Sequence, residues 1–133
     1  MYKTILLPLA HAPGHHPKRE FAAARAVAAP GAHVILLHVL GPVPEFSTAH
    51  LPESAQAALP DVIADDLTRQ AEALMDAEVQ VLRGDPAQEI LNLVAARGVD
   101  CIVMAPHRSD DSRLGSTTDR VIRDAPCTVH LVR

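Results

Sequence analysis

The chain has 133 residues, of which 48 % are hydrophobic and only 2 % aromatic, and its formal net charge is −4. This length suits one domain, the hydrophobic content excludes a disordered chain, and the negative charge argues against binding to nucleic acid through a basic surface. No apolar run is long enough for a membrane span, and the start has no pattern of a secretory leader. We therefore expect one cytoplasmic domain over residues 1–133, without a nucleic-acid or membrane partner.

Short apolar runs alternate with helical patterns from the start of the chain. The run Ile5–Leu9 predicts a strand that is buried on both faces, with Pro8 at its carboxyl end because proline cannot donate to a ladder. The alanine-rich stretch Lys18–Ala29 predicts a helix, which the Pro-Gly pair at 30–31 should end. His33–Leu40 predicts a second buried strand.

The second half continues the same alternation. In Gly84–Ile90, a turn glycine, an Asp cap and Pro at the first helical position predict the start of a helix. We expect Val62, Val121 and Ile122 to point inward from their helices. The remaining predicted elements are a helix over Asp61–Asp76, an edge strand over Glu78–Arg83, a helix ending at Gly98, a strand over Asp100–Ala105, a helix over Gly115–Asp124 and a last strand over Cys127–Val132.

Strands that alternate with helices at this spacing form right-handed βαβ units. They predict a three-layer α/β/α fold around a parallel sheet, with function at the carboxyl ends of the strands. The segments that follow those ends are His11–His16, Gly41–Pro44, Gly84–Asp85 and Pro106–Gly115.

Several segments resemble the universal stress protein family in order and spacing. They are Tyr2–Pro8, Gly84–Ile90, Asp100–Ala105, Leu114–Ser116 and Asp124–Val129. The resemblance implies a Rossmann-like sheet of five parallel strands in the order 3-2-1-4-5, related to the adenine nucleotide alpha hydrolase fold. It also implies a homodimer that forms through the last strand, here residues 127–132.

Many members of this family bind ATP, and the resemblance makes a comparison with their signature possible. That signature is a glycine, two residues, a second glycine, nine residues, and then Gly-Ser or Gly-Thr. Here Ala105 and Arg108 stand at the two glycines, only six residues precede Gly115, and Ala10 stands where an acidic residue is expected. Side chains at the glycine positions would crowd the phosphates. We therefore expect no cofactor, no ATP site and no enzymatic activity, but a dimeric regulatory module of the stress response with a regulatory protein as partner.

The alternative is a stress switch that binds ATP, AMP or another phosphate ligand in the loop over residues 105–117. Guanidinium groups, hydroxyls and free backbone donors at a helix start can form an anion site. The candidate residues are Arg108, Arg113, Gly115, Ser116 and Thr117. The competing interpretation is that Ser116 or Thr117 only caps the last helix.

Histidines suggest a third hypothesis, a small enzyme or a metal protein. His11, His15 and His16 share one loop, and His107 could face them across the sheet. Their spacing matches no known ligand motif, so a solvated loop is the competing interpretation. His33, His38 and His130 lie in predicted strands, where hydrogen-bonded core or interface positions are expected.

Overall fold

The structure is a computed structural model that describes the chain in six parts. These are residues 1–10, 17–41, 53–72, 74, 76–105 and 115–133, with the backbone alone for residues 53–56. The elements in chain order are β1 (Tyr2–Pro8), α1 (Lys18–Val27), β2 (Ala28–Leu40), α2 (Glu53–Ala71), β3 (Asp76–Arg83), α3 (Pro86–Arg97), β4 (Cys101–Met104), α4 (Ser116–Asp124) and β5 (Thr128–Leu131).

The five strands form one parallel sheet in the order β3-β2-β1-β4-β5. This confirms the predicted fold class and strand order, and it places β3 at an edge, as its alternating pattern indicated. Pro8 is the last residue of β1, where the ladder no longer needs its missing N–H.

The sheet is covered on both faces, so the fold has three layers. Ile5 and Leu7 point to the side of α1 and α2, where they pack with Phe21 and Leu67. The alternate residues of the same strands, such as Leu6, point to the side of α3 and α4. Since β1 is buried on both sides, its near-continuous apolar run is what a central parallel strand requires.

The boundary between α1 and β2 differs from the prediction. The helix ends at Val27 and the strand begins at Ala28, so the Pro-Gly pair at 30–31 lies inside β2 rather than after the helix. Tyr2 pairs with Ala28 and Thr4 with His33, so the register shifts between these pairs. Gly31 has a φ of 75°, which accommodates this irregular stretch because glycine tolerates positive φ.

Helix α2 is longer at its start than the sequence predicted. It begins at Glu53 instead of Asp61, it contains Pro60, and it ends at Ala71, while Asp76 already belongs to β3. The buried residues of α2 are Ile63, Leu67 and Ala71. Burial at these three- and four-residue steps holds the helix against the sheet despite the hydrogen bond that a proline removes.

Two residues predicted to point inward do not. Val62 is 57 % exposed and Ile122 is 41 % exposed. In α4 the buried positions are Thr118 and Val121, three residues apart on one face. Ile122 is rotated from Val121 by about 100°, so both cannot face the core of so short a helix.

No helix within the described ranges is long and apolar enough to cross a membrane.

Candidate functional site

A cleft of about 230 Å³ opens at the carboxyl ends of β1, β2 and β4. Along the chain the sheet grows from β1 to one side through β2 and β3, and then to the other side through β4 and β5. The cleft lies where this direction reverses, which is the usual ligand position in such sheets. Its described lining residues are Pro8, Leu9, Ala10, Leu37, His38, Val39, Pro86, Ile90, Met104, Ala105, Thr117 and Thr118.

Backbone and imidazole hydrogen bonds hold the wall that follows β1. The Leu9 N–H donates to the Leu37 carbonyl at 2.8 Å, and His38 Nδ1–H donates to the Leu9 carbonyl at 2.8 Å. The carbonyl oxygen can only accept, so His38 carries a proton on Nδ1 in this arrangement. These bonds fix Ala10 at the entrance of the cleft.

The wall formed by α3 begins at the turn that the sequence predicted. The Gly84 N–H donates to the Leu40 carbonyl at 3.0 Å, and the φ of 150° at Gly84 favours glycine. Asp85 caps the helix by accepting from the Gln88 N–H at 3.0 Å, and Pro86 follows at the first helical position. This confirmed turn places Pro86 against the cleft.

The start of α4 forms the opposite wall. Gly115 is its N-cap and provides no side-chain cap, and the first intrahelical bond runs from the Asp119 N–H to the Gly115 carbonyl at 3.0 Å. The interpretation that Ser116 or Thr117 caps the helix is therefore wrong, because both lie in its first turn. Their N–H groups precede that first bond and have no acceptor within the helix. Such groups attract anions.

Thr118 is a site residue that the sequence analysis missed. It is only 5 % exposed and lines the cleft. Its spacing from Val121 was the available signal, because residues three apart share one face of a helix.

The other candidate residues divide into two groups. Gly115, Ser116 and Thr117 begin α4, with Thr117 in the cleft and Ser116 exposed. The predicted residues that lie outside the described ranges are Arg108, Arg113, His11, His15, His16 and His107. Within those ranges, no group of three or more His, Cys, Asp or Glu residues is arranged to hold a metal ion.

The described lining of the cleft contains no carboxylate. Ala105, at the first glycine position of the ATP signature, follows β4 and lines the cleft, and so does Ala10. The two thiols do not lie in this lining either, and burial raises the pKa of Cys101 to about 11 and also raises the pKa of Cys127. A raised thiol pKa disfavours the reactive thiolate.

A parallel sheet that is covered by helices on both faces and has an open cleft at its switch point defines the doubly wound class of α/β proteins. A model of the universal stress protein family matches residues 1–133. A universal stress protein from Thermus aquaticus, encoded in the QAH/OAS sulfhydrylase 3' region, is 34 % identical over 140 residues, covering 100 % of both chains. The chain therefore belongs to the universal stress protein family.

Solved structures show the same fold. A hypothetical protein whose biochemical function was assigned from its structure matches with a TM-score of 0.80 and 25 % identity, over 99 % of this chain and 96 % of its own. A universal stress protein in complex with cAMP has a TM-score of 0.73 at 20 % identity, over 99 % and 97 %. A family protein from Arabidopsis thaliana with AMP bound has a TM-score of 0.64 at 16 % identity, over 98 % and 90 %.

Proposed function

We propose that this chain is a cytoplasmic regulatory protein of the stress response, not an enzyme, whose cleft does not hold ATP. The observation that carries the proposal is the lining of the cleft, where Ala10 and Ala105 replace a carboxylate and a glycine.

The physical reason lies in how triphosphates are bound. Phosphate oxygens approach main-chain N–H groups most closely where the residue has no side chain. The methyl group of Ala105 occupies space at that approach, and the methyl group of Ala10 cannot accept a hydrogen bond from a sugar or a base. Both substitutions weaken ATP binding without disturbing the fold, since both residues are exposed.

Calorimetric titration with Mg-ATP tests this proposal. The wild-type protein should give no saturable heat up to about 1 mM nucleotide, which corresponds to binding weaker than about −4 kcal/mol. Saturable binding with a dissociation constant below about 0.1 mM would contradict it.

A second candidate function is the binding of a nucleoside monophosphate such as AMP. The start of α4 supports it, because N–H groups without helical acceptors lie at this helix end and the buried Thr118 lines the same cleft. A single phosphate needs fewer contacts than a triphosphate. Two proteins of the same fold have been solved with nucleotides that carry one phosphate, cAMP in one and AMP in the other.

The test of this candidate is titration with AMP of the wild type, Thr118→Val and Thr68→Val. Valine keeps the shape of threonine and removes the hydroxyl, so Thr118→Val should bind AMP about tenfold more weakly. Thr68→Val is the matched control, because the Thr68 hydroxyl donates to Ala64 on the far side of the sheet at 2.7 Å. Equal AMP affinity in all three proteins excludes Thr118 as a ligand contact, and no binding by the wild type excludes the candidate function.

We further propose that the protein works as a homodimer formed through residues 127–132. The support is that β5 is an edge strand with Thr128 and His130 exposed, and an open edge in a soluble protein needs a partner or a cover. A regulatory protein partner would then bind elsewhere on the dimer.

A further inference from the structure

Arg120 of α4 reaches across to the first turn of α3. Its Nη1 donates to Asp85 Oδ2 at 3.0 Å, and its Nη2 donates to Gln88 Oε1. The same Asp85 oxygen accepts the Gln88 N–H at 3.0 Å and so caps α3. One guanidinium group therefore connects α4 to both the cap and the first turn of α3.

These two helices form facing walls of the cleft. Helix α3 contributes Pro86 and Ile90, and α4 contributes Thr117 and Thr118, the latter two residues before Arg120. We propose that Arg120 is a positioning residue that fixes the spacing of these walls, and thereby sets the affinity of the cleft for a nucleoside monophosphate. The affinity part of this proposal rests on the second candidate function.

The chemistry of arginine suits this role. Its planar fork can donate two hydrogen bonds to two acceptors at once, which fixes orientation as well as distance. Displacing a supporting group by about 1 Å is enough to loosen a site whose contacts are otherwise present.

A purely stabilising role is a poor explanation for Arg120. The side chains of Arg120 and Asp85 are 41 % and 63 % exposed, and pairs exposed to this degree contribute little to global stability. Arg120 also approaches Asp124 within its own helix, but only at 3.7 Å. Its two short bonds both cross to α3, so its removal should affect the cleft more than the stability of the fold.

The chain offers a matched control on the same helix. Arg123 pairs with Asp119 within α4 and, among the described residues, makes no bond to α3. Arg120→Gln should weaken AMP binding about tenfold. Arg123→Gln should change it less than twofold, and both variants should unfold at the wild-type urea midpoint.

Two further variants separate positioning from charge. Arg120→Lys keeps the charge but loses the fork, so its AMP affinity should fall between those of the wild type and Arg120→Gln. Asp85→Asn keeps a capping oxygen for α3 but breaks the ion pair. Asp85→Asn and Arg120→Gln each break the same ion pair between Arg120 and Asp85. The double variant should therefore bind AMP no more weakly than Arg120→Gln alone.

Hydrogen exchange gives a readout that needs no ligand. The Gln88 and Glu89 amides are both bonded to Asp85, at 3.0 and 2.9 Å. They should exchange faster in Arg120→Gln and at the wild-type rate in Arg123→Gln. Unchanged exchange in Arg120→Gln, or unchanged AMP affinity where the wild type binds AMP, overturns the proposal. If the wild type does not bind AMP, the second candidate function fails. The exchange rates alone then decide whether Arg120 fixes the spacing between α3 and α4.

Discussion

His33 lies between two carboxylates near the start of β2. Its Nδ1 is 3.0 Å from Asp76 Oδ2 and its Nε2 is 2.6 Å from Glu78 Oε1. The Glu78 contact is the main cause that raises the pKa of His33 above its ordinary value of 6.5. Glu78 also accepts from Arg97 of α3, and this bond, followed by the one from His33, lowers the pKa of Glu78 to about 2. The expected hydrogen-bonded histidine is confirmed here, but at a partly exposed position of the interior strand β2 rather than in the core.

This arrangement predicts a specific pH dependence of stability. When folding raises the pKa of a group, the protonated group stabilises the folded protein. This stabilisation is complete at pH values below the pKa of the unfolded state, here 6.5, and it is lost as the pH rises through the higher pKa of the folded state. The difference in free energy of unfolding between the wild type and His33→Gln should therefore shrink as the pH rises above about 6.5. Urea denaturation across this range measures it.

A wild-type and a His33→Gln curve that stay parallel over the whole range would show that the carboxylates do not hold the proton on His33.

Helix α3 shows what the sequence could predict at the level of an element. Its turn glycine, cap, first proline and terminal Gly98 each act through neighbouring backbone, and Gly98 has the expected left-handed conformation with φ of 63°. The start of β2 could not be predicted in this way, because its pairing with β1 overrides the local signal of the Pro-Gly pair at 30–31. The same holds for Val62, whose exposure depends on how α2 packs.

The cap of α3 predicts a measurable pair of effects. Asp85→Ala removes the acceptor for the Gln88 N–H and should lower the free energy of unfolding by about 1 kcal/mol. Asp85→Asn retains an oxygen in the same position and should cost less than half of that. Urea denaturation compares the two variants, and equal losses would mean that the charge, rather than the cap, stabilises the turn.

The packing of α2 gives a second prediction at this level. Leu67 is 2 % exposed and Leu59, on the same helix, is 39 % exposed. Leu67→Ala should cost about 2–5 kcal/mol because it leaves a cavity, whereas Leu59→Ala should cost less than about 1 kcal/mol. Similar losses for both leucines in urea denaturation would contradict the packing of α2 described above.

At the scale of the whole molecule, periodicity and connection order were sufficient to predict a parallel sheet, but not its strand order. Buried runs that alternate with helices leave few possible topologies, and the family resemblance selected the observed order. The site was predicted less completely. The spacing of Thr118 from Val121 indicates the buried face of α4, but its place in the cleft depends on how α4 packs beside α3. Arg108 and Arg113 lie outside the described ranges.

The proposed dimer predicts the effect of a single proline. The Val132 N–H donates to the Met104 carbonyl at 2.9 Å, so by alternation the Val129 N–H points to the open side of β5. Val129→Pro removes a donor from that side and should convert the dimer to a monomer, with the circular dichroism spectrum retained. Sedimentation velocity measures this, and a variant that remains dimeric would place the interface elsewhere.

We propose above that the cleft between β4 and α4 does not hold the triphosphate of ATP. Native mass spectrometry of the protein as purified from its expression host tests it most directly, because retained ligands add their mass to each species. We predict a mass without ATP, whether or not a monophosphate is retained. One ATP bound per chain would contradict the account.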